Sequence, residues 1–146
     1  MNVARRAPLA LLVLAAAAGC GDGAESEPEP EEAPSYAEIE QQIFAPACTF
    51  ACHSGGEFAA GGLDMQSPGH AALVDVPATA AVCADTEWKR VVPGRPEQSL
   101  LYVKILAKLE GTPAPCGDGM PAGSNKPALS ADEVESIRAW IAAGAD

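Results

Sequence analysis

The sequence predicts a mainly α domain with three main helices joined by long loops. Three observations carry this. Two capping boxes each open an apolar stripe at helical spacing, a third stripe opens on a proline, and no alternating pattern runs longer than a few residues. The first helix starts at Ser35: in Ser35-Tyr-Ala-Glu38 the hydroxyl and the carboxylate each satisfy a free backbone N–H. Ile39, Ile43 and Phe44 form its stripe, and Pro46 is expected to end it. The middle helix runs from about Pro96, where a missing N–H costs nothing, to Leu109, with Gly111 as its stop. Leu100, Val103, Leu106 and Leu109 recur on one face, with Lys104 and Lys108 on another. The last helix starts at the second box, Ser130-Ala-Asp-Glu133, carries Val134, Ile137, Trp140 and Ile141, and closes near Gly144. The first and last stripes are expected to pack together. The stretches 55–93 and 111–129 read as loop, and loops that long are usually ordered around a function.

Ahead of this domain the chain changes character. Arg5 and Arg6 precede an apolar run from Pro8 to Ala18 that ends in small residues, the pattern of a bacterial export signal over residues 1–19. The stretch from Leu14 to Cys20 resembles a lipoprotein signal, departing from the usual pattern at Ala17, where Leu is more common. That resemblance implies that Cys20 is lipidated and becomes the new N-terminus. The following "GDGAESEPEPEEAPS" holds six acids and no base, so residues 20–34 are expected to be an extended spacer.

Residues 35–146 then make one domain with fourteen Asp and Glu against seven Lys and Arg. That balance argues against nucleic acid, which is bound through clustered bases. Aromatic residues are few and Gly and Pro many, so a buried cofactor or disulfides are needed to complete the core. Apart from Cys20 the cysteines are Cys48, Cys52, Cys83 and Cys116. In an oxidising compartment they allow two disulfides, or one disulfide with the other pair bound to something else.

"CTFACHSGG", from Cys48 to Gly56, carries the chemistry. Two thiols followed by a histidine suggest covalent attachment of c-type haem, whose usual signature is Cys-x-x-Cys-His. Here the spacing is one residue longer, leaving open a haem site with a stretched loop or a disulfide beside an incidental histidine. Such a haem also takes a second axial ligand, often methionine. Met120, in "CGDGMPAG", sits among glycines and a proline where a thioether has little core to fill. Met65, in "GGLDM", has an apolar neighbour in Leu63 and reads as packing. His70 reads as an exposed loop residue near a turn, and as the ligand to test next if Met120 lies elsewhere.

With these pieces in order, residues 35–146 resemble a small cytochrome c. They are most similar to the cytochrome c-like domains of exported bacterial lipoproteins. The matching pieces are Ile43-Phe44, Cys52-His53-Ser54-Gly55-Gly56, Gly61-Gly62-Leu63-Asp64-Met65, Arg90-Val-Val-Pro-Gly94, Met120-Pro121, and Leu129-Ser130 through Ala145. The resemblance implies a cytochrome c-like fold around one haem c. In it, Cys48 and Cys52 are the thioether anchors, His53 the proximal iron ligand and Met120 the distal one. It also leaves Cys83 and Cys116 to pair with each other and tie down the start of the Met120 loop. The departure is the extra residue between Cys48 and Cys52, which can bulge outward while both sulfurs still reach their vinyl groups. Arg90 and Arg95 could meet a haem propionate or simply face solvent, and Trp88 and Trp140 are expected to pack in the core or on the haem.

The function expected is electron transfer, not catalysis, because a closed His/Met iron has no open position. Redox proteins with basic patches would be the partners, reached from the periplasmic face of a bacterial membrane that holds the lipid. Two alternatives belong to other classes. One is a haem-free, disulfide-stapled lipoprotein serving as a binding or scaffold module. The other is a thiol oxidoreductase using Cys48 and Cys52, which lacks the βαβ pattern such motifs accompany.

Overall fold

The computed structural model describes residues 32–50, 52–66 and 69–146. The export signal, Cys20 and the spacer as far as Glu31 lie outside the described residues. Both capping boxes form as expected. Ser35 Oγ accepts from the Glu38 N–H and the Glu38 carboxylate accepts from the Ser35 N–H, opening helix α1, Tyr36–Ile39. Ser130 and Glu133 do the same for the last helix, Ala131–Ala143, which Gly144 closes at positive φ.

Pro46 does not end the first helix. The chain continues from Glu40 to Thr49 as a wide π-helix with Pro46 inside it. A proline ring collides with the carbonyl four residues back in a standard helix and has no N–H to donate; widening the turn relieves the collision. Cys48 consequently lies on the helix, within its last turn, and not beyond it.

The stretch 55–93 also differs from the expected loop. It contains two 3-10 turns, Gly56–Phe58 and Ala60–Gly62, a short helix α2 at Gly69–Leu73, and a further turn at Ala81–Cys83. Each is too short to show a period in sequence. Isolated bridges join Val74 to Val91, Pro77 to Lys89 and Lys89 to Ser99, and the described residues contain no strand. The middle helix, α3, spans Leu100–Glu110 after a 3-10 turn at Pro96–Gln98, and Gly111 closes it in the left-handed conformation. Ala131–Ala143 is α4. The described residues are therefore mainly helical.

Ile39, Ile43 and Phe44 meet Val134, Ile137, Trp140 and Ile141 in one apolar core, as the stripes predict. The rings of Phe44 and Trp140 stand edge to face, with centroids 6.3 Å apart. His70 is half-buried here, contrary to expectation. Its Nε2 donates to the Ala145 carbonyl at 2.6 Å and its ring meets Tyr36 edge-on at 4.9 Å. Helix α2, which the sequence pattern does not reveal, carries it there. Helix α3 lies between this core, touched by Tyr102 and Ile105, and a second cluster of Ala78, Cys83, Leu100 and Cys116. Buried on two sides, it departs from the single stripe expected: Val103 and Leu106 are half-buried, and Leu109 is exposed.

Candidate functional site

The extra residue of the Cys48–His53 stretch is absorbed by hydrogen bonding. The His53 N–H donates to the Cys48 carbonyl at 3.1 Å, a bond spanning five residues. In the shorter Cys-x-x-Cys-His spacing the same two groups are four residues apart, the span of an α-turn. One more residue converts that turn to a π-turn, continuous with the wide helix before it. Cys48 is half-buried and Cys52 exposed, both as free thiols. Burial, with the charges of Cys52 and Glu133 adding to it, pushes the Cys48 thiol up to about 11. A thiol so disfavoured as thiolate is a poor redox nucleophile.

"GGLDM" forms the cradle for His53. Met65 N–H donates to the His53 carbonyl at 2.9 Å, and Ala60 N–H to the Cys52 carbonyl at 2.7 Å. The Leu63 carbonyl lies 3.2 Å from His53 Nδ1. A carbonyl only accepts, so Nδ1 carries the hydrogen in this bond and Nε2 keeps its lone pair. The Asp64 carboxylate accepts from the Gly56 and Gln66 N–H groups, holding the turn that follows His53. Gly55 and Gly56 take positive φ, which the turn requires. Burial lowers the His53 pKa, with the charges of Arg90 and Lys104 adding and backbone bonds to Leu63 and Ala60 opposing. The imidazole is therefore held neutral, the form that ligates metal.

Arg90 braces this cradle from behind. It is 9% exposed, and its guanidinium donates to the Ala72 carbonyl at 2.7 Å and to the Gly62 carbonyl and Thr79 Oγ1 at 2.9 Å. Arg90 is thus not the surface group allowed for in sequence. Arg95 is exposed, and its side chain bonds only Gln98 among the described residues.

The opposite wall is the Met120 loop on α3. Cys83 and Cys116 are joined as a disulfide. Met120 N–H donates to the Lys104 carbonyl at 2.9 Å, and Lys104 Nζ donates to the Cys116 carbonyl at 2.6 Å. Lys104 thereby grips both ends of the segment 116–120. It is not on a solvated face: at 8% exposure it is a buried cation. Lys108, half-buried, also reaches the loop, its Nζ donating to the Gly123 carbonyl at 2.9 Å. The loop covers this side of the helix, which no pattern within α3 can report. The one hint in sequence is that Lys104 lies four residues after Leu100, hence on the same face.

Between the walls lies a cleft of about 220 Å3, lined by Cys48, Cys52, His53, Met65 and Met120 together with Leu63, Leu73, Leu100, Leu101, Ile105 and Leu129. The Cys48–His53 stretch and Met120, distant from it in sequence, thus share one apolar cavity. Met65, expected as packing, is 1% exposed and joins the core as well as the lining. Phe50 lines the mouth with 91% of its surface exposed. His70, Arg95, Trp88 and Trp140 are not in the lining. Trp140 sits in the core and Trp88 against the disulfide cluster. No three His, Cys, Asp or Glu side chains among the described residues come together as a site for a bare metal ion. The chain matches no family model, no curated protein and no solved structure.

Proposed function

We propose that this chain is a membrane-anchored electron carrier with one covalently attached c-type haem in a cytochrome c-like domain. The convergence of Cys48, Cys52, His53 and Met120 on one apolar cleft carries the reading. The residues fit the group. Two unpaired thiols offer both attachment points, a neutral imidazole offers Nε2, a thioether lies in the same cavity, and the other two described cysteines are paired with each other. When bound, haem supplies a one-electron ferric/ferrous couple. Cys48 and Cys52 each add S–H across a vinyl group, with no atom lost. His53, braced by "GGLDM", and Met120, braced by Lys104 and the disulfide, would be the residues that hold the iron. A haem held by both residues would leave no position for a substrate, so transfer without catalysis is expected. The acidic surface steers the domain toward basic patches on redox proteins. Cys20 carries the lipid that holds it at the periplasmic side of a bacterial membrane.

Intact mass and a reduced haemochrome spectrum test this, on protein exported from cells with a cytochrome c maturation system. The expected result is a mass increased by one whole haem that survives denaturation, with α and Soret bands. A chain lighter by the hydrogens of a second disulfide, colourless and joined Cys48 to Cys52, would instead establish the haem-free scaffold. Met120→Ala is expected to keep the haem attached and change its coordination and potential; an unchanged spectrum excludes Met120 as a ligand.

A further inference from the structure

The cleft holds an imbalance of charge that covalent attachment does not require. Arg90, Lys104 and Lys126 line it, and among the described residues no Asp or Glu does, although acids outnumber bases two to one in residues 35–146. Lys126 is exposed at the rim, whereas Lys104 and Arg90 are buried. Buried lysine and arginine are normally paired with an anion. The ion pairs of the described residues are Lys89 with Asp75 and Arg138 with Glu135, and neither involves the cleft. Asp118, whose field reaches Lys104, forms no ion pair with it. The hydrogen-bond count leaves room for a ligand. Lys104 Nζ has three N–H donors and spends one on Cys116, and Arg90 has five and spends three on neutral oxygens. Such neutral oxygens satisfy donors without neutralising charge. An apolar cavity with buried positive charge and no resident carboxylate matches a ligand with an apolar body and an anionic arm.

We infer that Lys104, seconded by Arg90, binds a carboxylate arm of the ligand that fills the cleft. This rests on the reading of the cleft as a porphyrin site, where the arm is a propionate. Each has two donors to spare, but Lys104 is the group that decides, because it lies on the wall that also holds Met120, whereas Arg90 is committed to bracing the His53 cradle. The cleft then selects its ligand by charge before any thioether forms.

The test uses the full chain made without the maturation system, so that the cleft carries no haem. The probes are mesoporphyrin IX, whose ethyl groups cannot add thiols and which has no iron to ligate, and its dimethyl ester, which lacks the negative charges. Fluorescence titration is expected to show the diacid binding about tenfold or more tightly than the diester. Lys104→Met should shrink that preference to about threefold or less while the diester binds as before, and Lys104→Arg should keep it. Added salt should weaken the diacid alone. Equal affinities for diacid and diester in the unmodified chain would overturn the inference, as would a preference untouched in a folded Lys104→Met chain. If Lys104→Met does not fold, the diacid preference of the unmodified chain and its persistence in Lys104→Arg decide. The outcome is separable from that of the haem reading: a chain that never attaches haem in the cell can still prefer the diacid, and a haem-bearing chain can still show none.

Discussion

A single side chain can be legible in sequence as a ligand or cap and illegible as a buried charge or an unmet hydrogen bond. Ser35, Ser130, His53 and the cysteines announce themselves through near neighbours. Lys104 does not, because its burial comes from a loop more than ten residues downstream. Tyr36 is a second case. Its hydroxyl is buried and has no hydrogen-bond partner among the described residues. A buried, unpaired hydroxyl costs stability, so Tyr36→Phe is expected to stabilise the domain by about 1 kcal/mol in denaturant unfolding. Burial, with Glu40 adding to it, also pushes the Tyr36 phenol from 10.0 up to about 12. The folded state thus keeps this proton where the unfolded state loses it. The contribution is fully present below pH 10 and is lost as pH rises toward 12. In the haem-free chain Cys48 acts with the same sign between pH 9 and 11. Unfolding midpoints at pH 9 and pH 11 check this: the midpoint should fall, and fall less in Tyr36→Phe.

At the scale of elements, the capping boxes placed two helix starts correctly because both partners of each box lie within four residues. Ser130→Ala removes the acceptor for the Glu133 N–H and should cost about 1 kcal/mol, read from the thermal midpoint. Gly111 and Gly144 close their helices as expected, and only the end of the first helix is not legible. Pro46 is a valid stop for an α-helix, but it sits inside a π-helix that widens to take it. That continuation matters to the site, since it delivers Cys48 on a helical turn and turns the overlong cysteine spacing into a five-residue hydrogen-bonded span. Helix α2 leaves no mark in the sequence pattern because Gly69–Leu73 is shorter than two turns. With it went the real position of His70, which locks α2 to the Ala145 carbonyl.

For the whole molecule, the disulfide ties the second cluster, which includes Leu100 at the start of α3, to the Met120 loop. Its cysteines are 33 residues apart, so replacing both by serine should cost about 3–4 kcal/mol through the unfolded state. Urea unfolding measures that cost. In a haem-bearing chain, the same pair of changes should leave the thioethers intact and loosen the Met120 side, seen as a changed absorption spectrum. The sequence by itself determined the mainly helical class, both capping boxes, the core of the first and last helices, and the residue types from which the site is built. These follow from local hydrogen bonding and from periodic apolar spacing. Only the tertiary structure decided that Cys48, Cys52, His53 and Met120 line one cleft, that "GGLDM" and Arg90 brace His53, and that Lys104 is buried beside Met120. Those arrangements depend on loops closing over helices, and loop closure depends on contacts between residues too far apart in the chain for any short pattern to record.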